Sequence, residues 1–289
     1  MIKKMLTFIE LFAGIGGFHI AFDDCSTQCV WASEWDNYAR LTYETNFKKT
    51  APWLFEKNSF VGDITKINPK DIPDFDILTA GFPCQPFSQA GLKKGFEEVR
   101  GTLFFNIVEI LKEKKPKAFF LENVRGLLTH NNGETFKIIQ KVINDLGYSF
   151  FYQVVKASDY GLPTYRPRLF MIGFKNKNIN FKFPKSIPLK YDMSYVFKGS
   201  CHKKIGYTIR VGGKGSGIND RRNWDTYLVD GKEKKLSVKE AKMMMGFPDY
   251  YVFPCSNTQA MKQLGNSVAI DAVKIVADAI KQALENADD

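Results

Sequence analysis

The sequence predicts a doubly wound α/β domain in which helices alternate with the strands of a parallel sheet. Short apolar runs alternate with amphipathic stretches from Leu6 to Phe174, as expected when strands and helices follow one another along such a chain. The 289 residues are 44% hydrophobic and 25% charged, a balance typical of a globular chain that buries a sizeable core. We therefore expect one large α/β domain with a smaller domain attached.

The expected elements lie in alternation along this region. Strands are predicted from the short apolar runs, at Thr7–Phe12, Cys29–Ser33, Ile77–Ala80, Ala118–Leu121 and Leu169–Phe174. Helices are predicted from amphipathic spacing, at Tyr38–Phe47, Leu103–Lys112 and Glu134–Asp145.

The pattern changes after Phe174. Sequence rich in Lys, Asn, Pro and Gly continues to about Lys232 with few long periodic runs, which predicts a second, loop-rich domain. A last amphipathic stretch, Val268–Leu284, is expected to pack back on the first domain. We divide the chain into residues 1–174, residues 175–254 and a C-terminal segment, residues 255–289.

Charge and cysteine content indicate which binding partners and which cellular compartment to expect. The formal net charge of +10 makes a polyanion a plausible partner. The five cysteines lack the spacing of a zinc site, which indicates a reducing, intracellular setting without a metal. Lys3 and Lys4 precede an apolar run as in a signal peptide, but Glu10 interrupts it. No uncharged stretch is long enough to span a bilayer, so we expect a cytoplasmic protein with no membrane partner.

A glycine-rich turn follows the first predicted strand. The segment from Glu10 to Gly17 reads Glu-Leu-Phe-Ala-Gly-Ile-Gly-Gly, and its glycines allow close approach of backbone to a ligand. Glu34 lies 20 residues after Gly14, the separation at which an acid reaches a ribose hydroxyl pair. Asp63 follows a third candidate strand and can accept from an adenine amino group. The glycine spacing differs from that of dinucleotide folds and favours a nucleoside ligand, although a plain strand-to-helix connection is the alternative.

The most specific segment runs from Gly81 to Gly91 and contains Pro83-Cys84-Gln85. It follows a predicted strand, so Cys84 is expected at the carboxyl edge of the sheet, where α/β proteins bind ligands. A buried structural thiol is the alternative. Glu122 ends the next strand, and a thiolate and a carboxyl group at adjacent strand ends can attack a ring carbon and protonate the neighbouring ring nitrogen.

A pair of arginines begins the last predicted strand. The sequence Arg166-Pro-Arg168 supplies fixed donors for an exocyclic carbonyl of the same ring. A solvated or phosphate-contacting pair is the alternative.

These motifs together resemble the bacterial cytosine-5 DNA methyltransferases of type II restriction-modification systems. They occur in the family's order as Phe12-Ala-Gly-Ile-Gly-Gly17, Glu34, Asp63, Pro83-Cys84-Gln85, Glu122-Asn123-Val124, Arg166-Pro-Arg168 and Gln263-Leu-Gly-Asn-Ser-Val268. The resemblance implies a Rossmann-like S-adenosylmethionine-dependent methyltransferase fold, with a catalytic and cofactor-binding domain (1–174) and a small target recognition domain with a hinge (175–254). Two residues depart from the family pattern: Glu10 stands where Asp is usual, and Thr164 where Gln is usual.

The activity implied by the resemblance is methyl transfer from S-adenosylmethionine to carbon 5 of a cytosine flipped out of a specific duplex DNA site. The expected catalytic residues are Cys84, Glu122, Arg166 and Arg168. The residues expected at the cofactor are Phe12, Ala13, Gly14, Gly16, Gly17, Glu34, Trp35, Asp63, Ile64, Pro83, Leu103, Asn266 and Ser267. The residues expected at DNA are Gln85, Ser88, Arg100, Arg210, Lys214, Arg221, Arg222 and Asn223. The protein is expected to act as a monomer that protects DNA in a restriction-modification system.

Sequence readout is expected in the stretches 209–217 and 220–225, where mobile backbone is combined with side chains that can pair with base edges. A basic loop region that contacts only phosphate is the alternative there.

Two other functions remain as alternatives. The first is the same chemistry on tRNA, but the tRNA-methylating relatives carry a Cys-Phe-Thr signature that is absent here. The second is a DNA-binding relative without catalysis, which would have no need for Cys84, Glu122 and the two arginines.

Overall fold

The described residues, 5–83, 102–211 and 217–288 of a computed structural model, fold around a seven-stranded mixed sheet. Its strands are β1 (Leu6–Leu11), β2 (Thr27–Ser33), β3 (Phe60–Val61), β4 (Ile77–Gly81), β5 (Ala118–Val124), β6 (Phe151–Lys156) and β7 (Pro167–Phe174). Their order across the sheet is β3-β2-β1-β4-β5-β7-β6. The strands β1 to β5 pair in parallel, and β7 runs antiparallel between β5 and β6.

Helices cover both faces of this sheet, as the doubly wound prediction requires. The helices of the described part of the chain are α1 (Gly17–Phe22), α2 (Asn37–Phe47), α3 (Pro52–Glu56), α4 (Leu103–Lys114), α5 (Glu134–Asp145), α6 (Met193–Phe197), α7 (Val238–Met244), α8 (Asn257–Asn266) and α9 (Ile270–Asp288). In β5, Ala118 and Phe120 pack with α1, α2 and α9, whereas Phe119 and Leu121 pack with α4 and α5. The alternation follows from the two-residue period of a strand. The predicted α/β fold class is therefore confirmed.

The direction of β7 corrects the expectation of a purely parallel sheet. Only residues 157–166 connect β6 to β7, and they contain no crossover helix. Parallel neighbours need a connection of about a dozen residues or more, so β7 must return antiparallel. The edge strand β6 itself was not predicted, because Tyr152 and Gln153 are exposed and interrupt its apolar pattern.

The region after β7 carries a two-stranded hairpin, β8 (Thr226–Val229) with β9 (Lys232–Lys235), around the buried side chains of Trp224 and Tyr227. The helix α9 begins at Ile270, two residues after the start of the stretch predicted from Val268 to Leu284, covers the rest of it and packs against α1. The division into three parts remains a prediction. Among the described residues, no helix combines the length and apolarity needed to cross a membrane.

Candidate active site

A buried ion pair lies at the carboxyl edge of the sheet. The Nε atom of Arg168 is 2.9 Å from Oε1 of Glu122, and the two side chains are 16% and 11% exposed. Because β7 is antiparallel to β5, the start of β7 meets the end of β5, and Arg168 pairs with Val124 in the register. The structure therefore brings together two of the predicted catalytic residues.

The environment of Glu122 shifts the pKa of its carboxyl group upward. Burial raises its pKa, and the positive charges of Arg168 and Arg166 oppose that shift without cancelling it. A carboxylic acid held beside a fixed guanidinium can donate to a ring nitrogen while the arginine donates to a neighbouring oxygen.

The chain just before Cys84 is tied to the same strand end. The Nδ2 atom of Asn123 donates to the carbonyl of Phe82 over 2.9 Å, and Oδ1 of Asn123 accepts from the Val124 N–H. Gly81 lies beside the acid, and a Cβ there would be in ordinary contact at 3.5 Å from Oε2 of Glu122. Cys84 itself lies outside the described residues, as do Gln85, Ser88 and Arg100. Asn123 belongs to a recognised motif, yet sequence reasoning assigned it no role.

Arg166 is placed differently from Arg168. Its side chain is buried, and its guanidinium donates to the carbonyls of Ile209, Gly265 and Ser267. The Ile209 carbonyl lies between α6 and β8, and the Gly265 and Ser267 carbonyls lie at the end of α8. We therefore reassign Arg166 from base contact to joining these two segments to the sheet, because both terminal nitrogens of its guanidinium donate to backbone, while its Nε atom has no partner among the described residues.

The glycine-rich turn after β1 has the open backbone that its sequence predicts. Phe12, Gly14 and Gly16 have φ angles of 54°, 56° and 77°. Side chains rarely adopt this left-handed region, and at Gly16 a Cβ would lie 2.3 Å from the Phe47 ring. Among the described residues, the only atom within 4 Å of a Cβ at Gly14 would be the Phe12 carbonyl oxygen, at 4.0 Å, so these residues leave space above the turn for a ligand.

Glu34 closes this turn. Its Oε2 accepts from the Gly14 N–H over 2.7 Å, and its Oε1 accepts from the Asp36 N–H over 2.8 Å. Each carboxylate oxygen keeps capacity for a further donor, as a pair of ribose hydroxyls would supply. The adjacent Trp35 is 79% exposed and offers an open ring beside the turn.

Arg40 holds the neighbouring strand ends together and was missed by sequence reasoning. Its guanidinium donates to the carbonyls of Glu34, Val61 and Phe60. Asp63 lies two residues after the end of β3, and its carboxylate accepts from the backbone N–H and the hydroxyl of Thr65. An arginine in a helix carries no spacing signal that would reveal such a contact.

The remaining cofactor candidates differ in exposure. A Cβ at Gly17 would lie 2.9 Å from Oγ of Ser267, which brings the last motif beside the first. The predicted residues with buried side chains are Ala13 and Ile64; Leu103 and Ser267 are half-buried; Pro83 and Asn266 are exposed.

The comparisons with known proteins show the family of the chain. The family model for C-5 cytosine-specific DNA methylases matches residues 6–208 and 190–282. The chain belongs to this family. The type II methyltransferase M.HhaI of Haemophilus parahaemolyticus is 40% identical, with 96% of this chain and 95% of the relative covered. M.BsuFI of Bacillus subtilis is 42% identical over 96% of this chain and 73% of the relative. M.NlaX of Neisseria lactamica is 39% identical over 99% of both.

Solved structures show the same fold at lower identity. The Entamoeba histolytica methyltransferase EhMeth has a TM-score of 0.73 at 16% identity, with 97% of this chain and 99% of that one covered. The S. pombe Dnmt2 methyltransferase has a TM-score of 0.70 at 19% identity, with 99% of this chain and 100% of that one covered. The chain thus has the Rossmann-like fold of the methyltransferases. The matched family and the curated relatives favour the DNA interpretation over the RNA alternative.

The family's usual Asp is replaced by Glu10, which lies buried beneath the glycine turn. Its Oε1 accepts from the Phe18 N–H at the start of α1, and its Oε2 lies 3.4 Å from the Tyr43 hydroxyl. That hydroxyl is 2.6 Å from Nδ1 of His19. Burial raises the pKa of Glu10 to about 8 and lowers the pKa of His19 to about 3. At neutral pH both side chains are therefore mainly uncharged.

The stability of the protein should depend on pH through Glu10. The pKa of Glu10 is about 8 in the folded protein, above the ordinary value of 4.5. The contribution of its neutral carboxyl group to the stability of the fold is therefore fully present below pH 4.5 and is lost as the pH rises through 8. Glu10→Gln should therefore raise the free energy of unfolding at pH 8 by about 3–5 kcal/mol relative to its effect at pH 4.5. Urea denaturation of both proteins at the two pH values measures this difference.

His19 provides the matched control. Its pKa of about 3 lies below the ordinary 6.5, so its contribution is present above pH 6.5 and is lost as pH falls. His19→Phe should flatten the acidic side of the profile and leave the loss between pH 4.5 and 8 in place. Equal effects of Glu10→Gln at both pH values would contradict the account of Glu10.

The predicted DNA-binding residues that follow β7 in the chain fall into two groups. Arg210, Arg221 and Arg222 are exposed, and Arg222 is held by Asp220 with Nη2 and Oδ2 at 2.8 Å. Asn223 is buried, and its amide both donates to and accepts from the backbone of Thr226. We therefore reassign Asn223 to holding the turn. Lys214 lies outside the described residues.

Proposed function

We propose that the protein transfers a methyl group from S-adenosylmethionine to carbon 5 of a cytosine flipped out of a specific duplex DNA site, with Cys84 as the nucleophile. The observation that carries this proposal is the buried Glu122–Arg168 pair at the carboxyl edge, beside the strand end that leads into Cys84. An acid and a fixed cation placed together can hydrogen-bond to two adjacent polar atoms of one ring. Cytosine carries such a pair in its ring nitrogen and its carbonyl oxygen.

The chemistry requires carbon 5 to become nucleophilic first. Attack of the Cys84 thiolate forms a bond from Sγ to carbon 6 of the ring. Glu122 gives its proton to the ring nitrogen, and Arg168 donates to the carbonyl oxygen, so that the electron pair of the former double bond is available at carbon 5. After alkylation, loss of the carbon 5 proton to solvent and expulsion of the thiolate restore the double bond between carbons 5 and 6, and the ring nitrogen returns its proton to Glu122.

The cofactor site fits S-adenosylmethionine on the chemistry of its donors. When bound, this cofactor supplies an electrophilic methyl group. Glu34 would accept from the ribose hydroxyls, Asp63 from the adenine amino group, and Trp35 would stack on the adenine ring. Phe12, the glycine turn, Leu103, Asn266 and Ser267 would complete the site. The open space above Gly14 and the exposed ring of Trp35 support this assignment.

Substitution of Glu34 tests the cofactor site. Glu34→Gln keeps the shape but removes a charged acceptor, and a hydrogen bond to a charged group contributes about 1.5–3 kcal/mol. We expect the KM for S-adenosylmethionine to rise about 10- to 100-fold, with kcat near the wild-type value at saturating cofactor. Steady-state methylation kinetics give both constants. A change confined to kcat, or no change at all, would contradict the ribose assignment.

Duplex DNA is the proposed partner, read by the recognition region. Arg210, Lys214, Arg221 and Arg222 would contact the duplex, while Gln85, Ser88 and Arg100 would border the flipped base. Replacement of Arg221 and Arg222 by Ala should change the methylated sites or weaken DNA binding. An unchanged methylation pattern, read by bisulfite sequencing of methylated plasmid, would place base readout elsewhere.

The cellular role proposed is protection of DNA in a restriction-modification system, in the cytoplasm and as a monomer. Names of the curated relatives, which are type II methyltransferases, support this role.

The test of the proposed function is transfer of labelled methyl from S-adenosylmethionine to duplex DNA and, in parallel, to tRNA. We expect label on carbon 5 of DNA cytosine with the wild-type protein and none with Cys84→Ser. Label on tRNA alone would overturn the proposal in favour of the RNA alternative. No label on either would favour a DNA-binding protein without catalysis.

A further inference from the structure

Three connected polar side chains that the proposed mechanism does not use lie beneath the glycine turn. The Tyr43 hydroxyl stands between the other two, with its oxygen 3.4 Å from Oε2 of Glu10 and 2.6 Å from Nδ1 of His19. None of the three residues is more than 2% exposed. We call Glu10, Tyr43 and His19 the buried network.

The buried network contacts the glycine turn in two ways. Oε1 of Glu10 accepts from the Phe18 N–H, directly after the turn. The His19 ring stacks on the Phe47 ring with 4.0 Å between the centroids, and the Phe47 ring fills the space that a Cβ of Gly16 would need. The network therefore supports both the backbone at the end of the turn and the ring that packs on its middle.

The turn needs this support because its backbone takes a conformation that most residues avoid. Phe12 has a φ angle of 54°, and a residue with a side chain keeps such an angle only where the surrounding structure holds it. In the same turn, the Gly14 N–H donates to Oε2 of Glu34. The shape of the turn is therefore coupled to the position of the acid that is proposed to bind the ribose.

The protonation state of Glu10 decides the direction of the hydrogen bonds in the buried network. Because Oε1 accepts from the Phe18 N–H, the proton of the neutral carboxyl group lies on Oε2 and is donated to the Tyr43 oxygen. The Tyr43 hydroxyl then donates to Nδ1 of His19, which carries its own proton on Nε2. When Glu10 loses its proton, Tyr43 must donate to the carboxylate instead, and His19 must carry its proton on Nδ1.

The groups that face Glu10 from other elements keep its carboxyl group neutral at pH 7. Burial is the main cause of its pKa of about 8, and the charge of Glu34 raises that pKa further. Cys29 of β2 and Tyr251 lie close enough to respond to a charge on Glu10, and burial raises the pKa of both, so they are neutral as well. The Tyr251 hydroxyl also donates to the Ile15 carbonyl of the turn. None of these neighbours supplies a positive charge that would stabilise an ionised Glu10.

We propose that Tyr43 and His19 are positioning residues for cofactor binding, which act through Glu10 and Phe47 to hold the glycine turn in the shape that receives S-adenosylmethionine. The proposal rests on the proposed function, because the turn is the proposed cofactor site. The neutral network holds the turn with its donors and acceptors matched. Ionisation of Glu10 places a buried negative charge near Glu34, which the fold relieves by shifting the turn, so the affinity for the cofactor falls as the pH rises through about 8.

The experiment measures binding of S-adenosylhomocysteine by isothermal titration calorimetry at pH 7 and at pH 9. With the pKa of Glu10 at about 8, roughly a tenth of the wild-type protein is competent at pH 9, so its affinity should be about tenfold lower there. Glu10→Gln keeps the shape and the donor of the neutral acid. It should bind like wild type at pH 7 and about tenfold more tightly than wild type at pH 9.

Tyr43→Phe removes only the hydroxyl that links the network. It should weaken binding of S-adenosylhomocysteine about tenfold at pH 7, the loss expected for one buried hydrogen bond. In methylation kinetics, the KM for S-adenosylmethionine should rise by the same factor, with kcat near wild type at saturating cofactor.

The position of the His19 proton gives a readout that does not depend on the cofactor. NMR of nitrogen-labelled histidine, with the His19 signals assigned by their loss in His19→Phe, should place the proton on Nε2 at pH 7 and on Nδ1 at pH 9 in the wild-type protein. In Glu10→Gln the proton should stay on Nε2 at both pH values.

Tyr148→Phe is the matched control. Tyr148 is equally buried, and its hydroxyl donates to the Pro116 carbonyl over 2.9 Å, before the start of β5 and so at the opposite end of the sheet. Loss of this bond should lower the melting temperature as Tyr43→Phe does, but it should leave the affinity for S-adenosylhomocysteine unchanged.

The outcomes separate the two proposals. A wild-type protein that binds S-adenosylhomocysteine, with Glu10→Gln and Tyr43→Phe of the same affinity at both pH values, would overturn the buried network alone. Equal weakening in Tyr148→Phe, or a His19 proton that stays on Nε2 while the wild-type affinity falls, would also overturn it. A wild-type protein that binds no S-adenosylhomocysteine would overturn the proposed cofactor site and, with it, the proposed function.

Discussion

Replacement of Glu122 by Gln is expected to lower kcat by about 10²–10⁴-fold, the usual contribution of a positioned general acid. The amide has nearly the shape of the carboxylic acid and can still accept from Arg168, so the fold and the binding of DNA should survive. It cannot pass a proton to the ring nitrogen, and carbon 5 then stays electron-poor. Single-turnover methylation at saturating DNA and cofactor measures this loss.

Glu122→Asp provides the control for this substitution, because it keeps the acid but shortens its reach from β5. We expect an intermediate loss, with both variants melting near the wild-type temperature. A kcat within a few-fold of wild type for Glu122→Gln would show that proton transfer to the ring comes from another group.

Removal of the positive charge at position 168 is the second large effect. Arg168→Met should lower kcat/KM by about 10²–10³-fold, since one preorganised donor to the developing charge is lost. The charge of Arg168 lowers the pKa of Glu122, so its removal should raise that pKa further. The protonated acid then persists to higher pH, and the alkaline limb of the pH–rate profile should move upward.

Arg168→Lys separates charge from geometry. Lysine keeps the positive charge, so the alkaline limb should stay near its wild-type position while the rate still falls, because an ammonium cannot reproduce the fixed fork of a guanidinium. An alkaline limb that does not move in Arg168→Met would contradict the electrostatic coupling of the pair.

The fold was predictable from the sequence because strand and helix periods are local properties. The runs that became β1, β2, β4 and β5 are mostly apolar, as expected of strands buried on both faces. The direction of β7 is not a local property, since it depends on the short connection from β6. The strand β6 was not predicted, because an edge strand that is exposed on one face lacks a continuous apolar run.

The sequence predicts site residues whose role follows from residue type. It does not predict roles that depend on contacts with other elements. Glu122 and Arg168 are brought together, and Gly14 contacts Glu34 directly. Arg166 and Asn223 have the same chemistry as residues that bind ligands, yet the terminal nitrogens of Arg166 and the amide of Asn223 donate to backbone carbonyls. Arg40 and Glu10 act through buried partners on other elements, and no spacing in the sequence reveals those partners.

The most direct test of the account is to trap the covalent bond between Cys84 and carbon 6 of cytosine. A pool of mixed-sequence duplexes containing 5-fluorocytosine is incubated with the protein and S-adenosylmethionine. Fluorine at carbon 5 cannot leave as a proton, so elimination of the thiol is blocked after methyl transfer. We expect a complex that survives denaturation, with the nucleotide mapped to Cys84 by mass spectrometry and absent from Cys84→Ser. No stable complex, or a nucleotide attached to another residue such as Cys25, would contradict the mechanism.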